Sequence, residues 1–112
     1  MWLEGPNAAV NARRRTAAEG MPGLARHKVC QLGGSAIYVN ADDHFPAHFH
    51  VRAGGKGGLA WIEIDSLAVR HTNLHRADLR MVLNWAAQRQ DELRKAWEQA
   101  KAGQLPEEIP PA

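Results

Sequence analysis

The sequence predicts an α+β fold: a small, mainly antiparallel sheet of four to five strands packed by one long C-terminal helix. Three observations carry this. From Lys28 to Arg70, short apolar–polar alternations are separated by turn residues, the pattern of hairpin-linked strands. After Asn73 the period changes, and Leu79, Val82, Leu83, Ala86, Leu93, Trp97 and Ala100 recur at helical spacing. At 112 residues and 45 % hydrophobic, the chain is long enough for one core and too short for two.

Each element follows in chain order. Lys28 to Leu32 and Ser35 to Asn40 flank Gly33-Gly34, a two-glycine turn able to adopt the positive φ of a tight hairpin. Ala47 to Ala53 and Gly58 to Asp65 alternate on either side of Gly54-Gly55-Lys56-Gly57 and form a second hairpin. That glycine run lacks the spacing, the Ser or Thr after Lys and the following helix of a phosphate loop. A short fifth strand, Leu67 to Arg70, follows a turn at Asp65-Ser66. In the helix, Asn73 can cap the start and Asp78 suits the first turns, while Lys101, Gly103 and Pro106 form a stop signal. Met81 and Trp85 widen its apolar stripe, which reads as core or partly as a homodimer surface. Residues 1–22 have few large apolar side chains and are expected to be a flexible tail. Residues 23–105 then form the single domain, and residues 106–112 a loosely ordered end.

Charge and cysteine content narrow the function classes. Lys and Arg total 14 against 12 Asp and Glu, a net +2. Generic nucleic-acid binding through many phosphate contacts is not indicated. A specific small site on RNA or another acidic ligand stays open, and the run Arg13-Arg14-Arg15 reads as a solvated tail. The single Cys30 cannot form an intramolecular disulfide, and its place in an apolar–polar alternation reads as a small buried hydrophobe. No long apolar run suggests a membrane span or signal peptide, so a cytoplasmic location is expected.

The chemistry concentrates in Asp42 to Val51, DDHFPAHFHV, where three of the six histidines fall within seven residues. In a strand, Ala47, Phe49 and Val51 point to one side, and His48, His50 and Arg52 to the other, away from the core. Pairing Ala53 with Gly58 sets Val51 against Ala60, Phe49 against Ile62 and Ala47 against Ile64, so that apolar meets apolar. On the other face, Arg52 then meets Leu59, His50 meets Trp61, and His48 meets Glu63. Three readings compete. One is a metal site of His48 and His50, with His44, Asp42 or Asp43 completing the set. A second is acid–base chemistry on an anion, with Arg52 steadying a phosphate and Glu63 holding the tautomer of His48. The third is structural, a His48–Glu63 pair and His50 stacked on Trp61.

Met21-Pro22, Ile37-Tyr38, DHFPAHFHVR, AWIEID and the helical LRMVLNWAAQRQDELRKAWEQAKAG together resemble the domain of unknown function 4160 family over about residues 21–105. Members typically begin Met-Pro and carry a His-x-Pro-Pro-His-Phe-His motif, a strand ending in an acidic residue, and a helix with Glu-Trp. Here Phe45-Pro46-Ala47 replaces the double proline and Asn84 replaces the Glu before Trp85, so no catalytic Glu is expected on the helix. The resemblance implies one component of a toxin–antitoxin-like two-gene module, with a small cognate protein encoded nearby as partner, and RNA as a target. If the protein is an enzyme, the expected reaction is RNA phosphodiester cleavage, with His48 and His50 as acid and base, assisted by Arg52 and Glu63. The rival is a non-catalytic module that docks a partner through this face or through Trp85 and Trp97. No cofactor is expected under either reading; a divalent transition metal held by His44, His48 and His50 is the third alternative.

Overall fold

The computed structural model describes residues 26–55 and 57–112. The expected N-terminal tail, Met21-Pro22 and the arginine run lie outside them. Five strands, β1 (Arg26–Leu32), β2 (Ser35–Asn40), β3 (His48–Ala53), β4 (Leu59–Glu63) and β5 (Val69–Thr72), form an antiparallel sheet in sequential order. Two helices follow, α1 (Arg76–Ala87) and α2 (Gln90–Lys101).

Both hairpins are where the alternation places them. Gly33, at φ 54°, makes the β1–β2 turn in a conformation that side chains with a Cβ rarely adopt. The β3–β4 register pairs Phe49 with Ile62, His50 with Trp61 and His48 with Glu63, as the apolar matching requires. Ala53 N–H donates to the Gly58 carbonyl at 3.0 Å and Ile64 N–H to the Ala47 carbonyl at 3.0 Å, which extends that register at both ends. Gly58 is required by packing, because a Cβ there would lie 2.0 Å from Asn73 Oδ1. The fifth strand runs two residues later than expected: the turn after Glu63 continues through Ala68, with Leu67 in the left-handed region at φ 59°.

The single long helix is corrected to two, broken at Gln88-Arg89 without a proline or glycine. One rod from Arg76 to Lys101 would span about 39 Å at 1.5 Å per residue, well beyond the roughly 19 Å width of five strands. Breaking it lets both halves stay on the sheet. The Gln90 side-chain amide donates to the carbonyls of Ile64 and Asp65, at 2.8 and 2.9 Å, and ties the start of α2 to the end of β4. Asn73 does not cap α1. Its Oδ1 instead accepts from Leu59 N–H at 2.6 Å, and His75 occupies the cap position without a side-chain bond.

The core lies between the helices and one sheet face: Ile37, Val39, Phe49, Val51 and Ile62 meet Val82, Trp85, Leu93, Ala96 and Trp97. Phe49 and Trp85 pack edge to face at 6.5 Å. The C-terminal segment, expected to be loosely ordered, is docked. A bulge between Lys28 and Cys30 interrupts β1, the Val29 carbonyl accepts from Ile109 N–H at 2.7 Å, and Ile109 is buried. Trp85 Nε1–H donates to the Pro110 carbonyl at 2.8 Å. The register alone could not show this, because the segment has no periodicity.

Candidate functional site

β3 carries His48 and His50 on the same side, and their rings meet edge to face at 5.1 Å. The expectation that both face away from the packed interior holds for His50, whose side chain is 32 % exposed, and fails for His48, at 8 %. His48 stands at the end of the sheet. There its ring lies between Trp61 of β4 at 4.7 Å and Trp97 of α2 at 5.2 Å. The second helix reaches past the strand ends to supply this wall, a contact no strand pattern contains.

The segment entering β3 folds back over the imidazoles. Asp43 Oδ2 lies 2.8 Å from His50 Nε2 and 3.1 Å from His48 Nε2, and the three donor atoms all fall within 4.8 Å of one another. The other nitrogen of His48, Nδ1, is 2.8 Å from the Pro46 carbonyl, to which it must donate, since a carbonyl only accepts. Two contacts from α2 hold the segment in place. Phe45 packs on Trp97 at 6.0 Å, and the Lys101 ammonium donates to the Asp43 carbonyl while lying 5.2 Å from the Trp97 ring.

The remaining sequence-derived residues distribute differently. His44 is exposed and stands outside the donor group; its neighbour Asp43 takes the third place. Glu63 is opposite His48 in register, yet its carboxylate serves Ser66 Oγ at 2.8 Å and Arg70 Nε at 2.5 Å instead of the imidazole. The Ser66 hydroxyl and then the Arg70 guanidinium hold the Glu63 carboxyl below its ordinary range. Arg52 is exposed, two residues beyond His50. Cys30 is buried, and burial pushes its thiol up, which suits a core residue and not a nucleophile. Asn40 was not read as a site residue, and Trp97, placed by the sequence in the helical stripe, was not expected beside His48. Asn40 lies two residues beyond Tyr38, the partner of His50, and its Oδ1 is buried without a hydrogen-bond partner among the described residues.

Fold and site thus define a small α+β domain with a His–His–Asp donor group at the end of a sheet. The family model described as Domain of unknown function (DUF4160) matches residues 35–98, from β2 to most of α2 and including all three donors, and the chain belongs to this family. No curated protein and no solved structure matches it. No helix of the described residues is long and apolar enough to cross a membrane.

Proposed function

We propose that the domain binds one divalent transition metal through His48 Nε2, His50 Nε2 and the Asp43 carboxylate. The orientation of His48 carries this reading. With its proton fixed on Nδ1 by the Pro46 carbonyl, a neutral His48 directs the Nε2 lone pair at Asp43 Oδ2, 3.1 Å away. Two acceptors so placed repel unless a cation lies between them or the ring takes a second proton. A backbone carbonyl on the far nitrogen is also the usual device that fixes the tautomer of a metal-ligating histidine. Two of the three donor separations, 2.8 and 3.1 Å, lie close to the tetrahedron edge of about 3.3 Å that metal–ligand bonds of about 2.0–2.1 Å generate, and the third is within 4.8 Å. The donor set, two imidazoles and one carboxylate, suits zinc or a neighbouring first-row ion.

Three protein ligands leave a coordination position for water or an anionic group, at which a bound metal supplies Lewis-acid chemistry. This chain's residues set the surroundings. Trp61 and Trp97 shield His48 from water, the partly exposed His50 leaves an approach, and Lys101 and Phe45 hold the Asp43 segment against the rings.

Titration calorimetry of the untagged, metal-free protein with zinc, together with elemental analysis, tests the proposal. We expect one ion per chain. Asp43→Ala and His50→Ala should weaken binding by about 100-fold or more, since outer-shell changes alone cost about 10- to 100-fold. His44→Ala should leave binding unchanged. Substoichiometric metal in the wild type, or indifference to Asp43→Ala, rejects the centre and leaves an imidazolium–carboxylate pair with a structural role. On the family resemblance, a small cognate protein is the expected partner; co-purification with the adjacent gene product tests that separately.

A further inference from the structure

The sheet face turned away from the helices carries a second arrangement. The registers set Lys28, Tyr38, His50, Trp61 and His71 side by side, one from each strand. At about 4.8 Å per strand, this row runs roughly 19 Å across the sheet. A groove of about 210 Å³ lies over Tyr38, His50, Trp61 and His71, bordered by Arg26 and Asn40 on one side and Arg52 on the other.

Charge and shape together select the occupant. Arg26, Lys28 and Arg52 pair with no carboxylate among the described residues, whereas the acids of this face are engaged: Glu63 by Arg70, and Asp43 by the imidazoles. Positive charge is therefore gathered here in a chain whose net charge is only +2. Tyr38 and Trp61 are half-buried and stand two strands apart, about 10 Å, with His50 between them. The Arg26 guanidinium lies 5.1 Å from the Tyr38 ring. Aromatic rings on an open sheet, flanked by cations, hold unpaired bases by stacking and their phosphates by charge. A duplex cannot offer its base faces to such a surface.

We infer that this face binds single-stranded nucleic acid, with bases on Tyr38 and Trp61 and phosphates at Arg26, Lys28 and Arg52. His50 belongs both to the groove and to the donor group, so a bound strand passes the proposed metal centre. The binding itself requires no metal.

Fluorescence anisotropy of a labelled oligouridine octamer with the full chain, in chelator and at low salt, tests it. With three phosphate contacts, log K should fall with log salt at a slope of about −2, and the exposed double variant Arg26→Gln/Arg52→Gln should flatten the slope by about 1.4. Trp61→Leu, checked for folding by circular dichroism, should weaken binding by about 5- to 100-fold. The inference is overturned by no binding of the octamer or by binding that ignores the double variant. It is also overturned by self-association that the double variant abolishes without RNA, which would assign the face to a second copy. Chelator keeps this test independent of the metal reading, so either can fail alone.

Discussion

On the helix side of β3 and β4, Phe49, Val51 and Ile62 are fully buried; on the opposite side of the same strands, His50, Arg52 and Trp61 remain within reach of solvent. The division follows from the two-residue period of a strand, which lets one segment stabilise the fold with alternate residues and present chemistry with those between. His48 departs from that division. It belongs to the polar side by register but is enclosed by Trp61 and Trp97, so it shares the immobility of the core while its Nε2 faces the Asp43 carboxylate. A donor pair with one buried and one accessible imidazole combines fixed geometry with an approach for a ligand.

The contrast between the two faces can be broken from either side. The largest effect is expected from Phe49→Ala. It opens a cavity beside Trp85 and should lower stability by about 3–5 kcal/mol in denaturant titration, enough to unfold much of a marginal domain. A loss under about 1 kcal/mol would mean that the helices do not depend on this face. Next comes the donor group. Zinc at 100 times its Kd should stabilise the wild type by about 2.7 kcal/mol, seen as a rise in melting temperature. Asp43→Ala should remove that rise. The smallest effect sharpens the comparison on the strand beside His48. Glu63 titrates below its ordinary value in the folded protein, so its contribution is fully present above the unfolded-state value of about 4.3 and is lost as pH falls through the lower folded value. Glu63→Gln should therefore lower stability near pH 7 by the amount that it removes from the acid limb, so that the two stability–pH curves converge at low pH. An unchanged acid limb would show that the Ser66 and Arg70 contacts do not persist in solution.

Both hairpins and the β3–β4 register were legible in the sequence, because they rest on local information: the turn glycines, the alternation and the matching of apolar residues across about ten positions. From that register the pairing of His50 with Trp61 follows directly, whereas the full polar row also needs the pairing of β2 with β3 and a fifth strand that includes His71, neither of which the sequence placed. The helix break was not legible. Apolar spacing continues from Ala86 to Leu93, and only the mismatch between rod length and sheet width, with Gln90 anchored on the carbonyls after β4, requires a change of direction. The third donor was left open among His44, Asp42 and Asp43. Asp43 and His44 are neighbours in a segment without periodicity, and which of them turns inward depends on Phe45 packing on Trp97 and on Lys101 meeting the Asp43 carbonyl, contacts from more than fifty residues away. Strand period and turn chemistry act between near neighbours and are written in the order of residues. The enclosure of His48, the inward turn of Asp43 and the docking of Ile109 on β1 arise only when distant segments compete for the same space, and packing settles that competition.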